Sequence, residues 1–600
     1  MALYPTGGYP PIEDHGLIGD GETAALVARD GSVNWMCVPR FDSPPLFCSI
    51  LDTGRGGAFR LALDQPYESR QHYEEDTGVL VTELRGGNSV IRITDALTMH
   101  AGADITEDAA AARCELLRLV RVIEGEPTLV VDIAPRGGAD AEPAGDGLRI
   151  RCRQRSDLDL YLWTSHRPRG LRDQIRLRAG EQAHFALRWG GPRRLHHPAA
   201  PEEILKHTLD VWRRWMRDFR YDGPRKDLVR RSAITIKLLD HFRNGAIVAA
   251  PTSSLPEAIG GVRNWDYRYA WIRDAAFSVY ALHRIGHSSE AAAFLGWVLS
   301  TLDDGDGQPR VLYDLDGKVP EHEVEDPELE GYRGSAPVRW GNGAAHQEQR
   351  DVYGELLDCA HQWVAHHGDI SAPVWRSLRD LAERARKEWR IPDHGIWEVR
   401  TSGRLFTYSA AMCQVALDRA ARLSRRFALE GDIAGWEAEA ETIRRTILEE
   451  AWDERLQAIT EHIGGGGLDA SILALPLRRV IRATEPRMVA TTEAIQSRLG
   501  AGDGLIYRYL PDESPDGLPG KEGAFLLCSF WLVDNLAHQG RVQQAMELFD
   551  SLCDRANPLG LLPEQIEPSD GSFLGNFPQA FSHIGVISSG VNLVRAMKRR

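Results

Sequence analysis

Residues 271–302 read WIRDAAFSVYALHRIGHSSEAAAFLGWVLSTL. Apolar residues return at helical spacing on both sides of Gly286–Ser288, so this stretch reads as two helices starting near Trp271 and Ser289. So short a connection makes them antiparallel neighbours. Outward from this hairpin the helical period holds from Asp227 onward, with starts near Asp227, Trp271, Ser289, Gln347, Ser371, Thr407, Ala434, Leu468, Glu485, Ala524, Val542 and Pro578. Two of them carry an N-cap hydroxyl followed closely by proline, Ser371 before Ala372-Pro373 and Thr484 before Glu485-Pro486. The connections alternate. Long ones span 244–270, 303–346, 390–406, 452–467, 500–523 and 554–577, and short ones such as Gly368–Ile370 and Gly540-Arg541 lie between them. In an up-down array every second connection falls at the same end, so the six long loops gather on one face. Six helical hairpins closed into a ring form an (α/α)6 barrel with a loop-built pocket, and long loops on a rigid scaffold are where sites usually lie.

Between about Ala24 and Gly190 the pattern is different: short alternating runs broken by turn signals. Residues 24–28 and 32–38 flank Asp30-Gly31, a dipeptide suited to the positive φ angles of a tight hairpin. Further strands are expected over 79–84, 90–94, 116–123, 128–133, 148–153, 158–164, 175–178 and 184–189, a spacing that suggests a β-sandwich. Gly191–Pro201, with three prolines and His196-His197, reads as a linker into a short helix over 203–219. The expected organisation is multidomain, β then α: a β-sandwich over 1–195, a linker with a short helix over 196–226, and an (α/α)6 barrel catalytic domain over 227–600.

With 600 residues and 43% apolar composition, the chain is long enough for two cores. A net charge of −15, with basic residues scattered among acidic ones, argues against nucleic acid and against an anionic membrane surface. No apolar run reaches the length of a membrane span. Residues 1–19 lack the basic and apolar regions of a secretory signal, and the eight cysteines sit mostly in apolar contexts, so reduced thiols in a cytoplasm are expected. No cofactor is expected. No metal is expected either, since the cysteines lack paired spacing and neither His322-Glu323 nor His366-His367 puts two ligands on one helical face. The glycine run 464–467 lacks the Lys-Ser/Thr of a phosphate cradle, and the acidic run 321–330 reads as a solvated loop face.

The long loops place aromatic residues beside carboxylates and guanidinium groups: 264–269, Trp271, Arg273-Asp274, 339–342, 395–398 and 562–565. Aromatic faces cover the C–H surface of a pyranose, and charged acceptor–donor pairs bind its hydroxyls. Transfer of a glycosyl group to water with inversion needs one protonated and one ionised carboxyl group. Glu398 and Glu564 make the best pair. Glu398 follows Trp397, whose apolar wall would favour the protonated form, and Glu564 lies in a loop that returns to the first helix when the ring closes.

Three motifs, Tyr269-Ala270-Trp271-Ile272-Arg273-Asp274, Gly395-Ile396-Trp397-Glu398-Val399-Arg400 and Leu562-Pro563-Glu564-Gln565, resemble glycoside hydrolase family fifteen, the glucoamylase, glucodextranase and trehalase family. Residues 11–20 and 34–44 resemble the β-domain of its bacterial trehalase-like branch, and 347–355 and 574–583 belong to the same likeness. The resemblance implies an inverting, exo-acting α-glucoside hydrolase, with Glu398 as general acid and Glu564 as general base. It implies that Arg273 and Asp274 hold the non-reducing-end glucose, that Trp265, Tyr269 and Trp397 line the pocket, and that Gln349 and Arg400 are further substrate contacts. Fungal glucoamylases carry a second glutamate after the acid. Here Val399 and Arg400 follow instead, which turns the reading from starch toward trehalose or another short α-glucoside. A glucoamylase-, isomaltose- or dextran-type activity is the alternative. An inverting disaccharide phosphorylase and a non-catalytic sugar-binding protein are the readings of a different kind. A homo-oligomer is left open, because the N-terminal domain could lend a loop to its own or a neighbour's pocket.

Overall fold

A computed structural model describes residues 8–106, 110–190, 199–304, 307–367 and 369–598. The expected linker lies mostly outside these residues, His196-His197 included. Two antiparallel sheets of seven and eight strands make up the N-terminal part. The Asp30-Gly31 hairpin forms, with Leu26 opposite Trp35, and Gly31 takes φ +84° as its turn requires. Five strands escaped the sequence reading, His15–Gly19, Pro45–Phe47, Ala58–Leu63, Glu68–Tyr73 and Ala139–Ala144. Glu68–Tyr73 is an edge strand and carries polar residues throughout, so its pattern lacks an apolar face.

Twelve α-helices follow among the described residues. The first, α1 (Pro201–Trp215), stands outside the ring and docks on the eight-stranded sheet, where Thr208 Oγ1 accepts a 3.1 Å bond from the Met99 amide. The ring is built from α2 (Lys226–Leu238), α3 (Ile272–Arg284), α4 (Ser289–Asp304), α5 (Asp351–His367), α6 (Ala372–Glu388) and α7 (Thr407–Phe427). It continues with α8 (Ile433–Glu450), α9 (Pro486–Arg498), α10 (Leu526–His538), α11 (Val542–Cys553) and α12 (Ala580–Met597). Helix α3 packs on α5, α5 on α7, α10 on α12, and α12 back on α3 and α2, which closes an (α/α)6 barrel. The inner wall departs from expectation at one place. The helix expected from Leu468 is only a 3-10 turn, Ala470–Ala474, between α7 and α10. Pro476 explains the stop, since it lacks the donor an α-helix would need there and its ring would clash with the preceding turn. Ser371 caps α6 as read, but α9 begins with Glu485 at its N-cap and makes no side-chain cap bond there, so Thr484 does not serve as its cap.

The long loops are stiffened by short antiparallel pairs: Ser253–Pro256 with Asn264–Asp266, Val324–Asp326 with Val338–Trp340, and Ala524–Phe525 with Gln565–Ile566 and Phe573–Leu574. The β-part braces two of these loops. Trp35 Nε1 donates to Pro251 O at 2.7 Å and its ring stacks on Trp340 at 6.5 Å. Arg268 donates to Ser43 O at 2.6 Å, and Arg136 pairs with Asp326 at 2.6 Å. The acidic run is therefore not simply a solvated face, because Asp326 also accepts from Trp340 Nε1 at 2.8 Å and Glu323 holds Arg400 at 3.0 Å.

Candidate active site

On the loop face lies a cavity whose open volume, mouth included, is about 690 Å³. Five of the six long loops contribute to its lining, together with the first turns of α3 and α12. The loop over 452–467 does not.

Glu398 reaches the cavity at the end of a tight turn. Its amide donates to Gly395 O at 3.2 Å, and its backbone takes φ +60°, a left-handed conformation that a non-glycine residue holds only where surroundings enforce it. Gln347 Nε2 supplies part of that enforcement, donating to the carbonyls of Glu398 at 3.2 Å and Val399 at 3.1 Å. The Glu398 carboxyl is one-fifth exposed. Its Oε1 accepts from Trp271 Nε1 at 2.7 Å and from the Arg273 guanidinium at 3.1 Å, which leaves Oε2 without a protein partner among the described residues.

Glu564 also lines the cavity, but it is buried, 3% exposed, and Tyr267 Oη donates to its Oε1 at 2.7 Å. Burial first, and then the charge of Glu257, push Glu564 up to about 8. Burial likewise pushes Glu257 up to about 7, while Arg508, 3.4 Å away, pulls it down. Gly575 backs Glu564 at φ +73°, where an added Cβ would stand 2.4 Å from Glu564 Oε2. Only glycine lets the chain pass this close.

Arg273 is buried on the first turn of α3 and bridges Glu398 to Gln349 Oε1 at 3.0 Å and Asp351 Oδ2 at 3.0 Å. Asp274 faces the same cavity, and burial pushes it up to about 7 against the pull of Arg273. Trp265 lies between two guanidinium groups, Arg339 at 4.8 Å and Arg400 at 5.0 Å from its ring. These cation–π contacts hold the half-buried ring in place at the cavity edge. Trp397 lines the wall. Its N–H is held by Asp469 at 2.9 Å and its ring packs against Phe525 and Trp531, at 5.4 and 6.3 Å.

Of the residues expected to meet substrate, Trp265, Arg273, Asp274, Trp397, Glu398, Arg400 and Glu564 come together around the cavity, and two do not. Gln349 stands behind Arg273, its carbonyl oxygen used up as a brace. Tyr269 faces a separate concavity beside Trp340 and Arg40, toward the β-part, while Tyr267, two residues earlier, takes the place in the cavity. The sequence reading missed a second group of charges: Arg508 with Glu257 and Glu522, and Arg263 on Asp516 at 2.6 Å, with Tyr509 Oη on the same Asp516 oxygen at 2.6 Å. One local signal was available for it, an arginine set between tyrosines in Tyr507-Arg508-Tyr509.

The family model for glycosyl hydrolases family 15 matches residues 223–591, and a trehalase-like N-terminal model matches residues 6–154. The chain belongs to glycosyl hydrolase family 15. It is therefore a glycoside hydrolase. Within that family it is 38% identical to a trehalase of Mycolicibacterium smegmatis, over 98% of this chain and 92% of the relative. It is 34% identical to a trehalase of Thermoplasma volcanium, over 99% of this chain and 95% of the relative. The fold matches a bacterial glucoamylase solved in complex with acarbose, with a TM-score of 0.72 over 99% of this chain and 96% of that one, at 13% identity. The family's β-part and barrel are thus shared through the whole chain.

Proposed function

We propose that the protein hydrolyses α,α-trehalose to two glucose molecules with inversion, Glu398 acting as general acid and Glu564 as general base. One observation carries the reading: two glutamates from distant loops face a single cavity, Glu398 with an unpartnered oxygen and Glu564 buried on a tyrosine. In this reading Oε2 of Glu398 delivers its proton to the glycosidic oxygen as the bond breaks. Glu564 takes a proton from the attacking water, and Tyr267 and Arg508 support its ionised form against burial. Arg273 and Asp274 bind hydroxyls of the glucose being transferred, and Trp265 and Trp397 cover its apolar faces. A closed polar end of this kind favours release of one sugar at a time. The two trehalase relatives aligned over nearly their full length support trehalose over starch, as does Val399, followed by Arg400, where fungal glucoamylases carry a second glutamate.

A cytoplasmic location is part of the proposal. Eight free cysteines, all but Cys114 buried, support it, and among the described residues no helix is long and apolar enough to cross a membrane.

Product analysis tests the chemistry. Attack with inversion at one anomeric carbon converts that glucose to the β form, while the departing glucose keeps its α configuration. Early proton NMR spectra should show β- and α-glucose in equal amounts before mutarotation. Two α-glucose molecules per trehalose would overturn both the mechanism and the role of Glu564. Maltose and isomaltose tested beside trehalose check the substrate, and faster cleavage of either would move the assignment to the other members of the family.

A further inference from the structure

The barrel lumen has a second end. Helix α3 carries Arg273 and Asp274 on its first turn, at the catalytic cavity, and Arg284 on its last. Around that last turn, between α3, α10, α12 and the turn after the 3-10 helix, lies another cavity of about 1710 Å³, mouth included. Its floor is aromatic. Phe277 and Trp531 are buried there, and each touches a ring of the catalytic cavity, Phe581 at 5.7 Å and Trp397 at 6.3 Å. The cavity opens to solvent at its rim, where Arg479 and Arg595 are exposed.

The charges around it are unequal. Arg478 is neutralised by Asp358 at 2.9 Å and Glu355 at 3.0 Å, and Arg419 by Asp358 at 2.7 Å. Arg284, Arg479 and Arg595 also line the cavity, and none has a carboxylate partner among the described residues. Arg284 is half-buried over the Tyr280 ring at 5.2 Å. It donates to Ser588 O at 3.4 Å and to Asn592, and its Nε is buried without an acceptor. Burial, and then the charge of Arg595, lower its affinity for its own proton. The other carboxylate lining the cavity, Asp534, is near enough for its charge and that of Arg284 to act on each other, but it makes no ion pair with the guanidinium and is engaged by Asn592 at 2.9 Å. A half-buried cation without a counter-ion is costly, and guanidinium forks match carboxylate and phosphate oxygens.

We propose that this cavity is a second ligand site for a monosaccharide-sized anion, a sugar phosphate or sugar acid. Its ring lies against Trp531, since Arg478 already covers the Phe277 ring at 4.1 Å, and its anionic group bridges Arg284 and Arg595. Because Trp397 rests on Trp531, the occupant also stiffens the wall of the catalytic cavity.

Titration calorimetry of the full chain with glucose 6-phosphate, glucuronate and neutral glucose tests this. One equivalent of anion should bind, more weakly as salt is raised, and the two anions will show whether phosphate or carboxylate is preferred. Arg595→Gln, at the exposed mouth, should weaken binding about tenfold, and Arg284→Gln, checked for folding by its melting curve, should weaken it at least as much. Asp274→Asn, in the catalytic cavity, should leave this binding intact. Anion binding lost in Asp274→Asn and kept in Arg595→Gln would overturn the proposal, because the ligand would then sit in the catalytic cavity. So would the absence of heat with both anions, or glucose binding as tightly as either in Asp274→Asn, where product binding in the catalytic cavity is weakened.

Discussion

Glu398 stands at the end of a glycine-led turn with a left-handed backbone, one carboxyl oxygen on two donors from the start of α3 and the other open. Glu564 stands beside a three-stranded sheet, buried, with a tyrosine on one oxygen and a glycine pressed behind the other. The same functional group is thus held by strain and partial exposure in one region, and by burial and close packing in the other. In the proposed reaction, partial exposure gives Glu398 access to the leaving sugar, and burial sets Glu564 to act on the attacking water. The difference also predicts that the two sites fail differently when disturbed.

The largest effect is expected from removing each carboxyl group in turn. Glu564→Gln should lower hydrolysis by roughly 10²–10⁴-fold on trehalose and on α-glucosyl fluoride alike, since both need an activated water. Glu398→Gln should lose a similar factor on trehalose yet keep most of its rate on the fluoride, whose leaving group departs without a proton. The reverse pattern would exchange the two roles. Next comes the packing behind the base. Gly575→Ala places a Cβ 2.4 Å from Glu564 Oε2 at a backbone φ of +73°, so something must move. A displacement of this size should cost about a hundredfold in kcat, with a lower melting temperature, while an unchanged kcat would show that Glu564 need not sit where it does. Tyr267→Phe removes a 2.7 Å bond to Glu564 and nothing else of that length from the carboxyl. Bonds to a charged group contribute about 1.5–3 kcal/mol, so kcat/KM should fall roughly ten- to a hundredfold, measured at the pH optimum.

The two regions also differed in how far they could be read from sequence. The barrel was legible because helical periodicity and alternating loop length are local signals, and six loops on one face follow from connectivity alone. Glu398 and Arg273 could be singled out because each sits in a short motif, although the contact between them joins two motifs 125 residues apart. The failures have one physical cause, contact between residues distant in sequence. Tyr269 and Tyr267 lie in the same aromatic run, and only the packing of Trp340 and Arg40 decides which of them faces outward. Gln349 carries a polar group of the right kind, but Arg273 had already claimed it. The expected apolar wall of Trp397 exists, yet the groups that bond Glu398 come from α3, over a hundred residues away. Glu257 and Arg508 are separated by still more chain and meet only because the strand pair at Ser253–Pro256 and the loop before α10 fold onto the same edge.

That last contact gives the smallest expected effect and the one that bears most directly on the base. Glu564 must be ionised in the free enzyme to accept a proton from water, so kcat/KM should rise with pH as the buried pair of Glu564 and Glu257 loses its proton. Burial holds both high, helped at Glu564 by the charge of Glu257 and at Glu257 by that of Glu522, which moves the acidic limb of the profile above the usual carboxylate range. The limb belongs to the coupled pair rather than to either residue. Glu257→Gln keeps the shape and removes the like charge, and Arg508 keeps Glu522 as its counter-ion. The Glu564 carboxyl should then ionise more readily, moving the acidic limb to lower pH by up to about one unit, a shift equivalent to roughly 1.4 kcal/mol. A limb that stays in place would mean that Glu257 does not act on the base, and a limb that moves to higher pH would mean that Glu257 supports the ionised form of Glu564 through Arg508 instead of opposing it.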